Sequence, residues 1–434
     1  MRTASMPSSR RALWVVLPSV LAVALMALPA RSDEQAKCVL KKGDRLVVVG
    51  DSITEQKVYS RYIEDYLTAC RPDLDIWCLQ LGWGGETAGG FVGRMEQDLL
   101  SFKPNVVTTC YGMNDGGYRA YDEGIGKRYE EPMKKIIDAV KKIGGTIVVG
   151  SPGAVDTKAW RSQTGPDVYN DNLKHLTEID RKLAADAGMP FADVHDPIIE
   201  VMKKAKAAYG ENYHVCGGDG IHPANNGQLV MASAFLKGLG LDGQIGTITV
   251  DASGKATASD GHKVLSSEGG KIEIESSRYP FCFTGDGKSP DSNRSILQFL
   301  PFNDELNRFM LVVKGLKADK AAVTWGKETK TFTADQLAKG VNLAAEFLDN
   351  PFSEPFQKVD QAVAKKQGFE TMMIKQAYHT LDPLARDLAG DSEVEAAIKT
   401  IKSRLITKED ALGKAVRETV VPVKHTITIV AGDK

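Results

Sequence analysis

Short apolar runs alternate with longer amphipathic stretches from about Arg45 to Leu241. The runs are rich in β-branched residues, and they predict five strands: RLVVVG, LDIWCLQLG, NVVTTCYG, GTIVVGS and PFADV. Near-continuous apolar strands separated by helical patterns are typical of a parallel sheet covered on both faces. This half of the chain therefore predicts an α/β domain over residues 38–241.

Helical patterns fill the gaps between these strands: SRYIEDYLTAC, FVGRMEQDLLSF, YEEPMKKIIDAVKKIG and NDNLKHLTEIDRKLAADAG. Gly144 and Gly188 follow two of these segments, whose later turns carry lysine or arginine, and this combination is a helix stop signal. A further helix is predicted directly after CGGDGIHPANNGQ. In an open sheet of this kind, ligands bind beyond the carboxyl ends of the strands.

After Leu241 the pattern changes to alternating strands and turns, which predicts a second, mostly β domain over residues 242–434, a small sandwich. The predicted strands are GTITVDASG, KIEIESS, SILQFLP, RFMLVVKGL, AAVTWGKETKTFT and KHTITIVAG. A stretch rich in lysine, glutamate and alanine, at about 355–419, interrupts them. It predicts a helical hairpin packed on one side, with apolar residues at helical spacing at Val394, Ile398, Ile401 and Leu405. No residue of this hairpin indicates chemistry.

Residues 1–30 differ from the rest of the chain. Arg2, Arg10 and Arg11 precede a long apolar run that ends in small residues, a pattern typical of a secretory signal peptide. A retained N-terminal anchor is the alternative, because the run is near the length that spans a bilayer. We expect an exported protein, periplasmic or extracellular, that is free of the membrane once the segment is removed.

Charge and cysteine content narrow the function further. The chain has 55 basic and 56 acidic residues, a balance that argues against a nucleic-acid partner and favours a small or neutral substrate. Six cysteines permit disulfides in an exported chain, and Cys70 with Cys78, which bracket a short turn, are the predicted pair. No cysteine and histidine spacing indicates a zinc site. The sequence does not indicate an oligomeric state.

Polar and glycine-rich segments follow the predicted strands. Gly50-Asp51-Ser52 ends the first strand, and the segment DGIHP places Asp219 three residues before His222. At this spacing a carboxylate can orient an imidazole and stabilise its protonated form, which makes the histidine a base. The alternative is structural: Ser52 and Asp219 are also residue types that cap helices.

A set of hydrogen-bond donors is expected at the same sheet edge. The amide of Asn114 and the backbone N–H groups of Gly85 and Ser52 can face the negative oxygen of a tetrahedral intermediate, and each good donor lowers the barrier by about 3 kcal/mol. Turn formation is the alternative role for Gly85 and Asn114. The order and number of these segments favour the catalytic interpretation.

The segments VVVGDSIT, QLGWGGET, YGMND and GDGIHPANNGQ together resemble the sequence blocks of the SGNH hydrolases, also called GDSL-type esterases and lipases. The resemblance covers about Arg45 to Leu241. It implies a flavodoxin-like three-layer αβα domain that hydrolyses an ester through an acyl-enzyme and needs no metal or organic cofactor. Ile53, in place of leucine, and Gln80, in place of asparagine, depart from the usual pattern.

The resemblance also implies a role for each matched residue. Ser52 corresponds to the nucleophile, and Asp219 and His222 complete the catalytic triad. Ser52, Gly85 and Asn114 correspond to the oxyanion donors. These assignments agree with the chemistry expected from the residues themselves.

The substrate is expected to be a small-molecule or glycan ester. The loops WGGETAGG and NDGGYRAYDEG are short and polar, and they contain aromatic residues suited to stacking on a sugar: Trp83, Tyr111, Tyr118 and Tyr121. With its predicted export and additional β domain, the chain resembles secreted carbohydrate esterases of the superfamily. This resemblance favours O-deacetylation of a carbohydrate. The alternatives are a lipolytic esterase, lysophospholipase or thioesterase, and, in another class, an inactive glycan-binding module.

Overall fold

The computed structural model describes Met1 and residues 37–432. Residues 37–432 form one compact unit. The predicted signal peptide lies outside the described residues, apart from Met1. Within the described part of the chain, no helix is both long and apolar enough to cross a membrane.

A five-stranded parallel sheet forms the centre of the N-terminal half. Its strands are β1 (Arg45–Gly50), β2 (Trp77–Gln80), β3 (Val106–Cys110), β4 (Thr146–Gly150) and β5 (Phe191–Ala192). They lie in the order β2-β1-β3-β4-β5, the order of flavodoxin-like sheets. All five predicted strands are present, and the predicted α/β fold class is confirmed.

Helices cover both faces of this sheet. They are α1 (Ser52–Glu55), α2 (Tyr59–Asp65), α3 (Ala88–Val92), α4 (Met95–Asp98), α5 (Glu123–Lys142), α6 (Pro166–Ala187), α7 (His195–Tyr209) and α8 (Asn225–Gly238). A π-helical turn at Tyr66–Cys70 and 3₁₀ turns at Pro72–Leu74 and Leu100–Phe102 complete the set. Leu46 and Val48 of β1 belong to one core and Val47 and Val49 to the other, because successive strand residues point to opposite faces.

Two of these helical regions differ from the sequence-based predictions. The segment FVGRMEQDLLSF forms α3, α4 and a 3₁₀ turn rather than one helix, with Gly93 and Arg94 between the helices. Helix α7 was not predicted, although its apolar residues Ile198, Val201 and Met202 are buried. Gly188 ends α6 in a left-handed conformation, as predicted.

The C-terminal region, residues 242–434, contains two further sheets. Its strands are β6 (Gln244–Val250), β7 (Ala256–Ala258), β8 (His262–Glu268), β9 (Lys271–Ser276), β10 (Arg308–Val313), β11 (Lys320–Trp325), β12 (Glu328–Thr333), β13 (Val341–Asn342) and β14 (Val423–Ala431). The sheet orders are β13-β10-β6-β7 and β12-β11-β14-β9-β8, and only β6 and β10 pair in parallel among them. Phe309 of one sheet stacks on Trp325 of the other, with ring centroids 5.4 Å apart. The predicted, mostly β region is confirmed.

One predicted strand of this region is wrong. The segment SILQFLP begins within a 3₁₀ turn, Asn293–Ile296, because the Ser292 hydroxyl caps that turn by accepting the N–H of Arg294 at 3.2 Å. Short helices follow at α9 (Phe302–Leu306), α10 (Ala334–Lys339) and α11 (Leu343–Glu346). Strands β7, β8 and β13 were not predicted.

The predicted helical stretch at about 355–419 forms a larger unit than a hairpin. It consists of α12 (Ser353–Thr371), a π-helical segment (Met372–Tyr378), α13 (His379–Asp387) and α14 (Ser392–Glu418). We call these elements the inserted helices. Helix α12 packs against α2 and β2, so the inserted helices contact the N-terminal half of the chain.

Strand β2 is an edge strand, and α12 covers its free backbone groups. The ammonium group of Lys366 donates to the carbonyl oxygen of Cys78 at 2.7 Å, and the carboxylate of Glu370 accepts the N–H of Gln80 at 3.0 Å. Burial alone lowers the pKa of Lys366, but the surrounding carboxylates outweigh it and raise that pKa well above the usual value. These carboxylates are Glu64, Glu370 and Glu409.

The predicted disulfide between Cys70 and Cys78 is wrong. Both thiols are free, as are the other four cysteines, all of which lie in the described residues. Cys70 ends a π-helical turn and Cys78 lies in β2, so the two side chains are held in separate elements. Burial raises the pKa of both thiols well above the usual value, which disfavours the reactive thiolate.

Candidate active site

Ser52 is the first residue of α1, at the carboxyl end of β1. Asp51 is the N-cap of this helix, because its carboxylate accepts the N–H of Ile53 at 2.9 Å. The hydroxyl of Ser52 is therefore not used as a cap. Its oxygen lies 2.8 Å from Nε2 of His222. The structural interpretation of Ser52 as a capping residue is wrong.

Asp219 and His222 form a pair within one loop. Nδ1 of His222 lies 2.6 Å from Oδ2 of Asp219, while Oδ1 accepts the N–H groups of Ile221 and His222 at 2.9 and 3.0 Å. Burial acts to raise the pKa of Asp219, but these hydrogen bonds outweigh it and hold that pKa below the usual value. Helix α8 begins only at Asn225, so Asp219 does not cap it.

Two glycines allow this loop to fold back on itself. Gly217 has a φ of +81°, and a Cβ at this position would lie 1.8 Å from the carbonyl oxygen of His222. Gly220 has a φ of +82°, and its Cβ would lie 2.5 Å from the backbone nitrogen of Trp160. Side chains are excluded at both positions, so the loop that carries Asp219 and His222 requires glycine.

The second loop, residues 83–86, follows β2. Gly85 is exposed, has a φ of +73°, and has no atom within 4 Å of the position where a Cβ would lie. No acceptor within residues 37–432 takes its backbone N–H. The N–H of Trp83 donates to the carbonyl oxygen of Gly50 at 3.0 Å, which ties this loop to the end of β1.

Asn114 follows β3 and contacts the same loop. Its Nδ2 donates to the carbonyl oxygen of Glu86 at 2.9 Å, and its Oδ1 accepts the Tyr118 hydroxyl at 2.7 Å. The carboxyl ends of β1, β2 and β3 therefore bring Ser52, Gly85 and Asn114 to one edge of the sheet. This edge is where the sequence predicted the site.

A buried polar network lies beneath the 83–86 loop. The carboxylate of Glu86 pairs with the guanidinium of Arg94 through two contacts of 2.6 Å and accepts the Tyr111 hydroxyl at 2.7 Å. Burial raises the pKa of Asp51 to about 7 and that of Asp115 to about 6, and the carboxylate of Glu86 adds to both shifts. The floor of the site is thus rich in carboxyl groups with raised pKa values.

The aromatic residues predicted to contact substrate separate into two groups. Tyr111 is fully buried, and its hydroxyl is used by Glu86, so its prediction as a sugar-stacking residue is wrong. Tyr121 stacks on His175 at 4.1 Å. Trp83 and Tyr118 are half-buried next to the residues of the site. Only these two remain candidates for contact with a substrate.

The sequence analysis missed four residues that contact the 83–86 loop: Glu55, Arg94, Lys375 and His379. Glu55 lies in α1 and Arg94 directly precedes α4. A charged residue within a glycine-rich segment, such as Glu86, was a signal that a buried partner was needed. Lys375 and His379 belong to the inserted helices, far away in the chain, where no local pattern indicated a role. Within the described residues, no cluster of three His, Cys, Asp or Glu side chains is arranged to hold a metal ion.

Comparison with known proteins defines the class. Residues 48–230 match the GDSL-like Lipase/Acylhydrolase family. Residues 48–230 thus form a GDSL-like domain of the SGNH hydrolase superfamily, and this domain makes the protein a carboxylic ester hydrolase. The residues of the matched range include both loop 83–86 and the Asp219 and His222 pair.

Individual relatives are distant in sequence. An acetylxylan esterase of Geobacillus stearothermophilus is 23% identical over 222 residues, which cover 46% of this chain and 95% of the relative. Among solved structures, a gut microbial diltiazem-metabolizing enzyme is 23% identical, with a TM-score of 0.71, over 91% of this chain and 100% of its own. An acetyl-xylooligosaccharide esterase of Geobacillus is 24% identical, with a TM-score of 0.39, over 46% and 96% of the two chains. The likeness to the diltiazem-metabolizing enzyme extends over the C-terminal region and concerns the fold.

Proposed function

We propose that this protein is an exported serine esterase that removes O-acetyl groups from a carbohydrate through an acyl-enzyme. One observation carries the mechanism: an unbroken line of contacts runs from Asp219 through His222 to Ser52, with distances of 2.6 and 2.8 Å. This is the arrangement of a nucleophile, its base and the group that orients the base.

In the first half of the reaction, Nε2 of His222 takes the proton of the Ser52 hydroxyl as its oxygen attacks the ester carbonyl. Asp219 accepts the hydrogen bond from Nδ1, which fixes the tautomer and stabilises the imidazolium. The imidazolium then gives its proton to the departing alcohol. In the second half of the reaction, His222 takes a proton from a water molecule, whose oxygen attacks the acyl-enzyme. The imidazolium then returns its proton to the oxygen of Ser52, and the acid and the free serine are released.

Three donors stabilise the negative oxygen of each tetrahedral intermediate: the backbone N–H groups of Ser52 and Gly85 and the side-chain amide of Asn114. The N–H of Gly85 has no acceptor within the described residues, so it is available. The amide of Asn114 has two hydrogens, of which one is used by Glu86 and the other is free for the oxyanion. These donors are worth several kcal/mol in the transition state.

The substrate assignment is supported by the loops and by one relative. The 83–86 loop is short, with Gly84 and Gly85 exposed. The half-buried rings of Trp83, in this loop, and of Tyr118, whose hydroxyl contacts Asn114, offer surfaces for a sugar. The acetylxylan esterase relative aligns over 95% of its own length with 46% of this chain. A short acyl group on a sugar alcohol suits this exposed, polar loop better than a long acyl chain does.

The mechanism is tested with p-nitrophenyl acetate and the variants Ser52→Ala and Ser403→Ala. Ser403 is an exposed serine of α14 and serves as the matched control. We expect Ser52→Ala to lose nearly all activity and Ser403→Ala to keep full activity. Equal rates for Ser52→Ala and the unmodified protein would show that Ser52 is not the nucleophile.

The substrate class requires separate measurements. Hydrolysis of the acetyl ester should exceed that of the octanoyl ester, and acetate should be released from acetylated xylooligosaccharides. Faster octanoyl hydrolysis supports a lipolytic esterase or lysophospholipase, and preference for acyl thioesters supports a thioesterase. Glycan binding without hydrolysis by the unmodified protein is the result expected for an inactive binding module.

Export is tested by expressing the full chain in a bacterial host and sequencing the N-terminus of the product. We expect a shortened protein in the periplasm or the medium, cut near residue 30. A full-length product that sediments with the membrane fraction supports the retained anchor instead.

A further inference from the structure

The inserted helices contact the loop that carries the oxyanion donor Gly85. Nζ of Lys375, in the π-helical segment, lies 2.5 Å from one carboxylate oxygen of Glu55. The other oxygen of Glu55 accepts the backbone N–H of Gly84 at 2.5 Å. Lys375 lies 320 residues after Glu55 in the chain, yet it holds the carboxylate that fixes the residue immediately before Gly85.

A second line of contacts reaches the residue immediately after Gly85. Nε2 of His379 lies 2.7 Å from Oδ2 of the fully buried Asp98, and the same oxygen accepts a hydrogen bond from Arg94 at 3.1 Å. Arg94 in turn forms the two 2.6 Å contacts with the carboxylate of Glu86. Both neighbours of Gly85 are therefore connected to the inserted helices.

Trp83 connects the two lines. Nζ of Lys375 lies 4.7 Å from the centre of its ring, and the ring of His379 lies at the same distance. The guanidinium of Arg94 lies 5.0 Å from the ring. Three cationic or polar side chains thus pack around the first residue of the loop, two of them from the inserted helices.

Gly85 itself has nothing that fixes its position. It has no side chain, its φ is positive, and no atom lies within 4 Å of a Cβ position. Its N–H is useful only if it points to where the oxyanion forms, and a displacement of about 1 Å in a catalytic group costs up to a hundredfold in rate. The placement of Gly85 must therefore come from Gly84 and Glu86.

We infer that Lys375 and His379 are positioning residues for ester hydrolysis, and that the inserted helices complete the oxyanion site from outside the hydrolase domain. This inference rests on the proposed function of Ser52 and Gly85. Lys375 acts through Glu55 on Gly84, and His379 acts through Asp98 and Arg94 on Glu86. Neither side chain takes part in the chemical steps.

The variants Lys375→Met, Lys375→Arg and Lys365→Met test this role. Lys365 is an exposed lysine of α12 and provides the matched control. For Lys375→Met we expect kcat on p-nitrophenyl acetate to fall about tenfold, a part of the hundredfold or more that loss of an oxyanion donor costs, with KM changed less than twofold. Lys375→Arg keeps the ion pair and should retain most of kcat, and Lys365→Met should retain all of it.

Coupling between Lys375 and Glu55 provides a second measurement. Glu55→Gln keeps an oxygen for the N–H of Gly84 but loses the charge that holds Lys375. If Lys375 acts through Glu55, the double variant loses no more kcat than the more affected single variant. Independent, multiplying losses would contradict this route. His379→Ala acts on the same loop through Glu86, so its loss should also combine with that of Lys375→Met to less than the product of the two.

The outcomes separate this inference from the proposed function. An active Ser52→Ala variant overturns the proposed function. An inactive Ser52→Ala variant together with an unchanged kcat for Lys375→Met overturns the positioning role alone. A raised KM with unchanged kcat also overturns it, because Lys375 would then bind substrate. Thermal unfolding of each variant is measured, and assays are run well below the lowest Tm, so that lost activity does not reflect lost fold.

Discussion

Two loops meet at Ser52, and they are built in different ways. The loop at 216–222 contains both Asp219 and His222, and its own backbone N–H groups and glycines hold them in place. The loop at 83–86 contributes only Gly85, and the side chains of Glu55 in α1, of Arg94 before α4 and of the inserted helices hold it from outside. The acid–base part of the site is local, whereas the oxyanion part depends on distant segments.

The two loops therefore depend on different parts of the sequence. A loop that positions itself needs a short, specific sequence, such as two glycines and an i, i+3 pair. A loop that is positioned by its surroundings needs little sequence of its own but depends on several remote residues. We therefore expect substitutions in the first loop to have large, isolated effects, and substitutions around the second to have smaller effects that are coupled to one another.

The largest effect is expected for Asp219→Asn. The amide keeps an oxygen for the N–H groups of Ile221 and His222, but its nitrogen faces Nδ1 of His222 and favours the wrong tautomer. A fall of about 10³ to 10⁴ in kcat is expected. The control is Asp196→Asn, since Asp196 contacts the ring of His195 at 3.0 Å outside the site. Steady-state kinetics on p-nitrophenyl acetate measures both, and a loss below tenfold for Asp219→Asn would contradict the assigned role.

Asn114→Ala is expected to have the next largest effect. It removes one oxyanion donor and the contact with the carbonyl oxygen of Glu86, so kcat should fall about a hundredfold with little change in KM. Asn212→Ala, at an exposed position, is the control. Combined with Lys375→Met, the loss should be smaller than the product of the two single losses, because both act on the same loop. Full multiplication would argue against one shared oxyanion site.

Asp51, the cap of α1, and Asp219, in the loop at 216–222, should give the protein opposite responses to pH. Burial raises the pKa of Asp51 to about 7, so the folded protein binds its proton more tightly than the unfolded chain, and this contribution to stability is lost as pH rises from about 4 through 7. Asp51→Asn should therefore stabilise the protein more at pH 8 than at pH 5, by on the order of 2 kcal/mol. Thermal unfolding at both values tests this, and equal gains at the two pH values would contradict it.

Asp219 provides the internal control for that measurement. Its pKa is lowered, so its contribution to stability is present above the pKa of the unfolded chain and is lost as pH falls through the pKa of the folded state. The Asp219→Asn variant should accordingly lose stability at neutral pH and lose none at acid pH. The opposite signs of the Asp51 and Asp219 variants are the expected signature.

The smallest effect is expected for Tyr118→Phe. The substitution removes the hydroxyl that donates to Oδ1 of Asn114 at 2.7 Å but keeps the ring. Asn114 keeps its contact with Glu86, so a fall of about threefold to tenfold in kcat is expected, near the net value of one hydrogen bond. Tyr121→Phe, whose ring stacks on His175, is the control. An effect as large as that of Asn114→Ala would mean that Tyr118 itself contacts the reacting ester.

The sequence predicted the elements whose information is local. Each of the five parallel strands has an apolar run of its own, and Ser52, Asp219 and His222 each lie in a short, distinctive segment. The helical pattern at 355–419 also predicted helices where they occur. In all these cases, the residues that decide the structure are neighbours in the chain.

What the sequence did not predict depends on packing between remote segments. Tyr111 looked like a surface aromatic next to the site, but Glu86 needed a buried donor and Tyr111 supplies it. Lys375 and His379 lie on helices whose pattern is ordinary, and only their packing beside Trp83 distinguishes them. Cys70 and Cys78 looked like a pair because they are close in sequence, but they belong to separate elements and both thiols are free.

Lys366 and Glu370 of α12 form an ion pair that covers the edge of strand β2, and this cover affects whether molecules associate with one another. An uncovered strand at the margin of a sheet presents free N–H and C=O groups that can pair with another chain. Here the charged side chains of α12 occupy those groups at Cys78 and Gln80. A chain cut near Leu241 would keep Ser52, Asp219 and His222 but lose the inserted helices and this cover. The shortened protein should therefore form strand-paired aggregates, while the full-length chain is protected from them.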